Sequence, residues 1–115
     1  MITVTLIACT KKQTSPETTT AAVTPAAVLS KDQLIEKGHQ IYQMNCLSCH
    51  GGNPKIDGPI GPAIAGSSME LITMRVTELK YPTGYKPKRT TTTIIALPHL
   101  KNEIPAVFEY LSSVK

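Results

Sequence analysis

Cys46-Leu47-Ser48-Cys49-His50 is the stretch on which the reading of this chain turns. Two cysteines separated by two residues, with a histidine directly after the second, form the attachment pattern of a c-type haem. The spacing has a physical reason. Each thiol adds across one vinyl group of a porphyrin, and the histidine that follows is then held beneath the ring, where its imidazole can bind iron. A bare C-x-x-C also serves as a redox dithiol or as half of a zinc site, but the first belongs near a βαβ pattern and the second needs another ligand pair downstream. Neither context surrounds Cys46 and Cys49. The sequence therefore predicts one covalent haem c, anchored by Cys46 and Cys49, with His50 as the proximal iron ligand.

Upstream, Ser30-Lys31-Asp32-Gln33 has the form of a capping box, in which the serine oxygen accepts from the backbone of Gln33 and the glutamine reaches back. A helix should begin there. Leu34, Ile35, Gly38, Ile41 and Tyr42 recur at helical spacing and mark its buried face. Glycine costs a helix about 1 kcal/mol relative to alanine, so Gly38 on that stripe predicts a second helix crossing closely. His39 lies beside the stripe and reads as an exposed polar residue rather than a ligand. Downstream, Gly51-Gly52-Asn53-Pro54 must end any helix, and Asp57-Gly58-Pro59-Ile60-Gly61-Pro62-Ala63-Ile64 is a proline-stiffened loop with little side-chain bulk.

From about Lys37 to the C-terminus the chain resembles the small single-haem cytochrome c family. The residues that carry the resemblance are Gly38-x-x-x-Tyr42, the attachment pentapeptide with Gly51, Gly61-Pro62-Ala63-Ile64, and Tyr110-Leu111. The resemblance implies an all-α fold of three to four short helices around one haem, with the first and last helices packed together. It also implies that the backbone carbonyl of Pro62 accepts the second N–H of His50, orienting it and strengthening it as a ligand.

Further along, Ser67-Ser68-Met69-Glu70 reads as a second capping box spanning Ser67 to Glu70. It should open a helix through about Leu79, with Met69, Ile72, Val76 and Leu79 on one stripe and Met74 off it. The segment Lys80 to Arg89 holds two prolines and a glycine and cannot be regular. Its Tyr81, Tyr85 and Arg89 carry donors suited to haem propionates, and a solvated basic loop is an equal reading. In the family a methionine sulfur reaches the iron from a loop just before a proline and the last helix. Here the corresponding run, Thr92 to Pro98, contains no methionine, and Ile94 or Ile95 stands in its place. Three alternatives remain for the sixth iron position: open or water-bound, ligated by His99, or ligated by Met69 or Met74. A last helix is expected after Asn102 as cap, with Pro105 in its first turn and a stripe of Ile104, Val107, Phe108 and Leu111.

The N-terminus differs from the rest. Leu6-Ile7-Ala8-Cys9 resembles a bacterial lipobox, so residues 1–8 read as a truncated lipoprotein signal and Cys9 as the lipidated residue. Residues 9–29, rich in Thr, Pro and Ala, read as a disordered tether, leaving 30–115 as the haem domain. The whole chain of 115 residues has no Trp and one Phe, so a buried porphyrin would supply much of its apolar centre. The formal charge of +4 comes without a basic helix or stacking aromatics, which argues against nucleic acid as a partner. The expected function is electron transfer between redox proteins outside the cytoplasm, on the periplasmic side, with membrane anchoring through Cys9. The alternative is a gas-binding sensor or weak peroxidase with an open distal iron.

Overall fold

A computed structural model describes residues 28–90 and 93–115. The expected signal, Cys9 and all but the last two residues of the tether lie outside the described residues, as does Thr92.

Four α-helices make up the regular structure: α1 Lys31–Asn45, α2 Leu47–His50, α3 Met69–Glu78 and α4 Ile104–Ser113, with a 3₁₀ turn over Pro98–Glu103 leading into the last. Among the described residues there is no β-strand. The first helix starts where its capping box places it. Ser30 Oγ accepts from the Gln33 N–H at 3.3 Å, and Gln33 Oε1 accepts from the Ser30 N–H at 2.9 Å, which satisfies two of the donors that a helix start leaves free.

The other two starts fall differently from the sequence expectation. The cap of α3 is Ser68, whose Oγ accepts from the Leu71 N–H at 3.2 Å. Ser67 stands one residue outside the helix, and its hydroxyl reaches back to donate to the Ile64 carbonyl at 2.7 Å. Asn102 caps nothing. It lies inside the 3₁₀ turn, and α4 begins after Glu103, with Pro105 in the first turn as expected. The proline's missing N–H is one that the first turn would leave unbonded anyway.

The core is the seam between α1 and α4. Ile41 and Tyr42 from α1 meet Ile104, Ala106, Val107, Tyr110 and Leu111 from α4, with Ile72 of α3 and Leu100 of the 3₁₀ turn closing the cluster. Each large apolar side chain buried there contributes about 1.5–3 kcal/mol. On α3 only Ile72 is buried. Val76 packs partly against the cluster, while Met69 and Leu79, expected on the same stripe, are exposed. The reason is position: α3 packs on the 3₁₀ turn and α4, while Met69 is its first residue and Leu79 follows its last. His39 is not free in solvent. Its ring stacks on Tyr110 at 4.9 Å, and Gln43 lies 3.0 Å from its Nε2.

Candidate haem site

Helix α1 hands the cysteines directly to α2. The Cys46 N–H donates to the Tyr42 carbonyl at 2.8 Å, and the His50 N–H donates back to the Cys46 carbonyl at 2.9 Å. One helical turn therefore holds Cys46, Cys49 and His50 in a fixed relation. Both thiols are free and half-buried. Burial, with the neighbouring Cys49 as a smaller cause, pushes the Cys46 thiol up to about 11.

The turn ends at Gly51, whose φ of 77° lies in the left-handed region that glycine enters without strain. The Tyr42 hydroxyl donates to the Gly51 carbonyl at 2.6 Å, pinning the exit of the motif to the core.

The loop 57–63 then folds back over the motif. The carbonyl of Cys49 accepts from the N–H of Ile60 at 3.1 Å and from that of Gly61 at 2.8 Å. This places the loop so that His50 Nδ1–H donates to the Pro62 carbonyl at 2.7 Å. The fit leaves no spare volume. A Cβ at Gly61 would lie 2.5 Å from Cε1 and 2.6 Å from Nδ1 of the His50 ring, and a Cβ at Gly58 would drive into the backbone of His50.

These residues fit a c-type haem. Two thiols lie one turn apart, the imidazole has Nδ1 engaged and Nε2 left for iron, and a glycine cradle receives the ring's underside. Among the described residues no cluster of three or more His, Cys, Asp or Glu could hold a bare metal ion, which disfavours a zinc site at the cysteine pair.

The remaining predicted residues scatter. Arg89 approaches the loop rather than standing free: Nη2 pairs with Asp57 Oδ2 at 3.2 Å, and Nη1 donates to the carbonyls of Gly58 and Ile60, each at 3.2 Å. Tyr81 and Tyr85 stack on one another at 5.3 Å, and the Arg75 guanidinium covers Tyr81 at 4.2 Å, so the pair belongs to the end of α3. His99 is exposed on the 3₁₀ turn, and Met74 is half-buried on α3. The sequence reading missed Asp57 and Lys88. Asp57 Oδ1 accepts from the Ala63 N–H at 2.8 Å, and Lys88 Nζ donates to the Ala63 carbonyl at 2.8 Å. The Ala63 N–H foremost, and the Arg89 guanidinium after it, hold the Asp57 carboxyl below its ordinary value. An acidic residue opening a Gly/Pro loop, with a basic pair some thirty positions on, was the only available signal.

Helices packed around a Cys-x-x-Cys-His turn, with the histidine tied to a loop carbonyl, define a small single-haem protein. The chain matches the family model described as Cytochrome c over residues 35–115. No curated protein and no solved structure matches it. The chain belongs to the cytochrome c family, its cofactor is a covalently bound haem c, and its general role is that of an electron carrier.

Proposed function

We propose that the protein carries single electrons between redox partner proteins outside the cytoplasm, using Cys46 and Cys49 as covalent anchors and His50 as proximal ligand. The observation that carries this reading is the 2.7 Å bond from His50 Nδ1 to the Pro62 carbonyl, which fixes the imidazole's tautomer and leaves the Nε2 lone pair for iron. Bound haem supplies the ferric–ferrous couple. The chain's own residues do the rest. Cys46 and Cys49 prevent loss of the cofactor, the loop 57–63 shields one side of His50 from water, and the α1–α4 seam keeps the motif rigid, so that little has to rearrange when the charge changes. Export is in keeping with covalent haem attachment, and lipidation at Cys9 would tether the domain through residues 9–29. No helix among the described residues is long and apolar enough to cross a membrane.

The direct test is production in a host competent for cytochrome maturation. The mature protein should gain the mass of one haem and give a pyridine haemochrome of the two-thioether type, and Cys46→Ser with Cys49→Ser should abolish both. A colourless wild type of bare polypeptide mass would end the reading.

A second reading rests on the run from Thr92 to Pro98, which offers no methionine sulfur. In it the distal position is open, and the protein binds a diatomic gas or acts as a weak peroxidase. Carbon monoxide separates the two: a ferrous protein that ignores it is a six-coordinate carrier, with His99, Met69 or Met74 as the candidate sixth ligand, whereas rapid binding favours the open site.

A further inference from the structure

The loop 57–63 has to hold a carbonyl against His50, yet it has almost nothing of its own to pack with. Two of its residues are glycines and two are prolines, and Ile60 is 41% exposed. Its position must therefore come from hydrogen bonds, and these arrive from two sides. One side is the Cys49 carbonyl already described. The other is the segment Lys88-Arg89, which crosses the loop from far along the chain.

We propose that Arg89 is a positioning residue for the iron: forked between the Asp57 carboxylate and the carbonyls of Gly58 and Ile60, it fixes the loop that presses the Pro62 carbonyl onto His50. This rests on His50 being the proximal ligand. The geometry is that of a strap. Arg89 reaches both ends of the turn 57–60, Asp57 in turn holds the Ala63 N–H, and Lys88 holds the Ala63 carbonyl, so Pro62 lies between two clamped points. A guanidinium can serve three oxygens at once because its donors form a rigid planar fork, which an ammonium lacks. The consequence reaches the iron through one bond. A strong hydrogen bond from Nδ1–H leaves more electron density on Nε2, which favours ferric over ferrous iron and keeps the reduction potential low.

The sign of the effect makes the proposal testable. Merely deleting a positive charge near the haem would lower the potential, because ferric iron carries the extra charge. Loosening the His50–Pro62 bond would raise it. Arg89→Lys keeps the charge and removes the fork, so the reduction potential of the holoprotein should rise, and the paramagnetically shifted His50 ring resonances of the ferric form should move. Lys31→Ala serves as control, since its side chain lies on the α1–α4 surface, 3.9 Å from Glu109, and should leave both readouts at wild-type values. If Arg89→Lys does not fold, Asp57→Asn weakens the same strap from its other end and should move the same His50 resonances. A potential that stays or falls in Arg89→Lys, or His50 resonances unmoved in the variant that folds, overturns the proposal. Failure of the underlying ligation shows elsewhere, as a His50→Ala holoprotein whose optical spectrum matches the wild type.

Discussion

Gly38 on α1 and Ala106 on α4 meet backbone to backbone. A Cβ at Gly38 would drive into the Ala106 carbonyl and come within 2.8 Å of the Tyr110 Cβ. Neither neighbour is the free end of a flexible side chain, so the helices would have to separate. Gly38→Ala should therefore destabilise the protein despite a gain in helix propensity of about 1 kcal/mol, because overpacking a tight seam costs about 1–3 kcal/mol or more. Chemical denaturation of the holoprotein should show a net loss of up to about 2 kcal/mol. An unchanged or raised midpoint would mean that the crossing is looser than described.

Gly61 stands in the same relation to His50 as Gly38 does to Ala106, but there the neighbour is an imidazole rather than a backbone. In Gly61→Ala the new methyl would overlap the ring at Cε1 and Nδ1. The ring must tilt, lengthening the 2.7 Å bond to Pro62. The expected outcome is a several-fold lower yield of holoprotein and an altered ferric optical spectrum in what remains. A wild-type spectrum at wild-type yield would show that the ring has slack.

Much of this was legible in the chain itself. The attachment motif and the Ser30–Gln33 box follow from local chemistry, because each depends on residues within a few positions of one another, and the place of Gly38 on the buried stripe signals a close crossing without naming its partner. What could not be read depends on which residue wins a competition. Ser67 and Ser68 are equivalent on paper, and the fold chooses between them: Ser68 Oγ accepts from the Leu71 N–H, while the Ser67 hydroxyl reaches back to the Ile64 carbonyl. By its charge Arg89 suits a propionate or a solvated basic loop equally, while the loop 57–63 that it straps is a long-range partner with no periodic signature. Met69 and Leu79 keep helical spacing yet stand at the two ends of α3 and are exposed.

Tyr42 predicts an alkaline limit. It is 1% exposed, and burial first, with Cys46 and Tyr110 as lesser causes, pushes its phenol from 10.0 up to about 12. A thioether at Cys46 would remove one lesser cause in the holoprotein and leave the burial. A raised acid favours the folded state only while the unfolded phenol is also protonated. The stabilisation is therefore complete below about pH 10 and is lost as the pH rises towards about 12. Thermal midpoints should hold level up to the lower value and then fall. Tyr42→Phe should flatten that fall, while losing about 1 kcal/mol at neutral pH with the hydrogen bond to the Gly51 carbonyl. An equally steep alkaline fall in the variant would assign it to another group.

Removing the haem should undo the two long loops before the helical seam. The buried aliphatic and tyrosine side chains of the described residues lie at positions 41, 42, 72, 100, 104, 106, 107, 110 and 111, and among the described residues of 51–66 and 80–97 the one buried side chain is that of Pro54. Ordering a loop residue costs about 1–2 kcal/mol of backbone entropy, so segments that bury so little need another surface to pack on. In the holoprotein a porphyrin held at Cys46 and Cys49 would supply that surface. A Cys46→Ser, Cys49→Ser double variant prepared without haem should lose its cooperative melting while keeping part of its far-ultraviolet ellipticity, which α1 and α4 carry. In hydrogen exchange its residual protection should sit at Ile41, Val107 and Leu111, with Gly61 and Ala63 exchanging freely. Native-like ellipticity with a single sharp transition would mean that the polypeptide core is sufficient by itself, and that the loop 57–63 draws its order from the Cys49 carbonyl and the Arg89 strap alone.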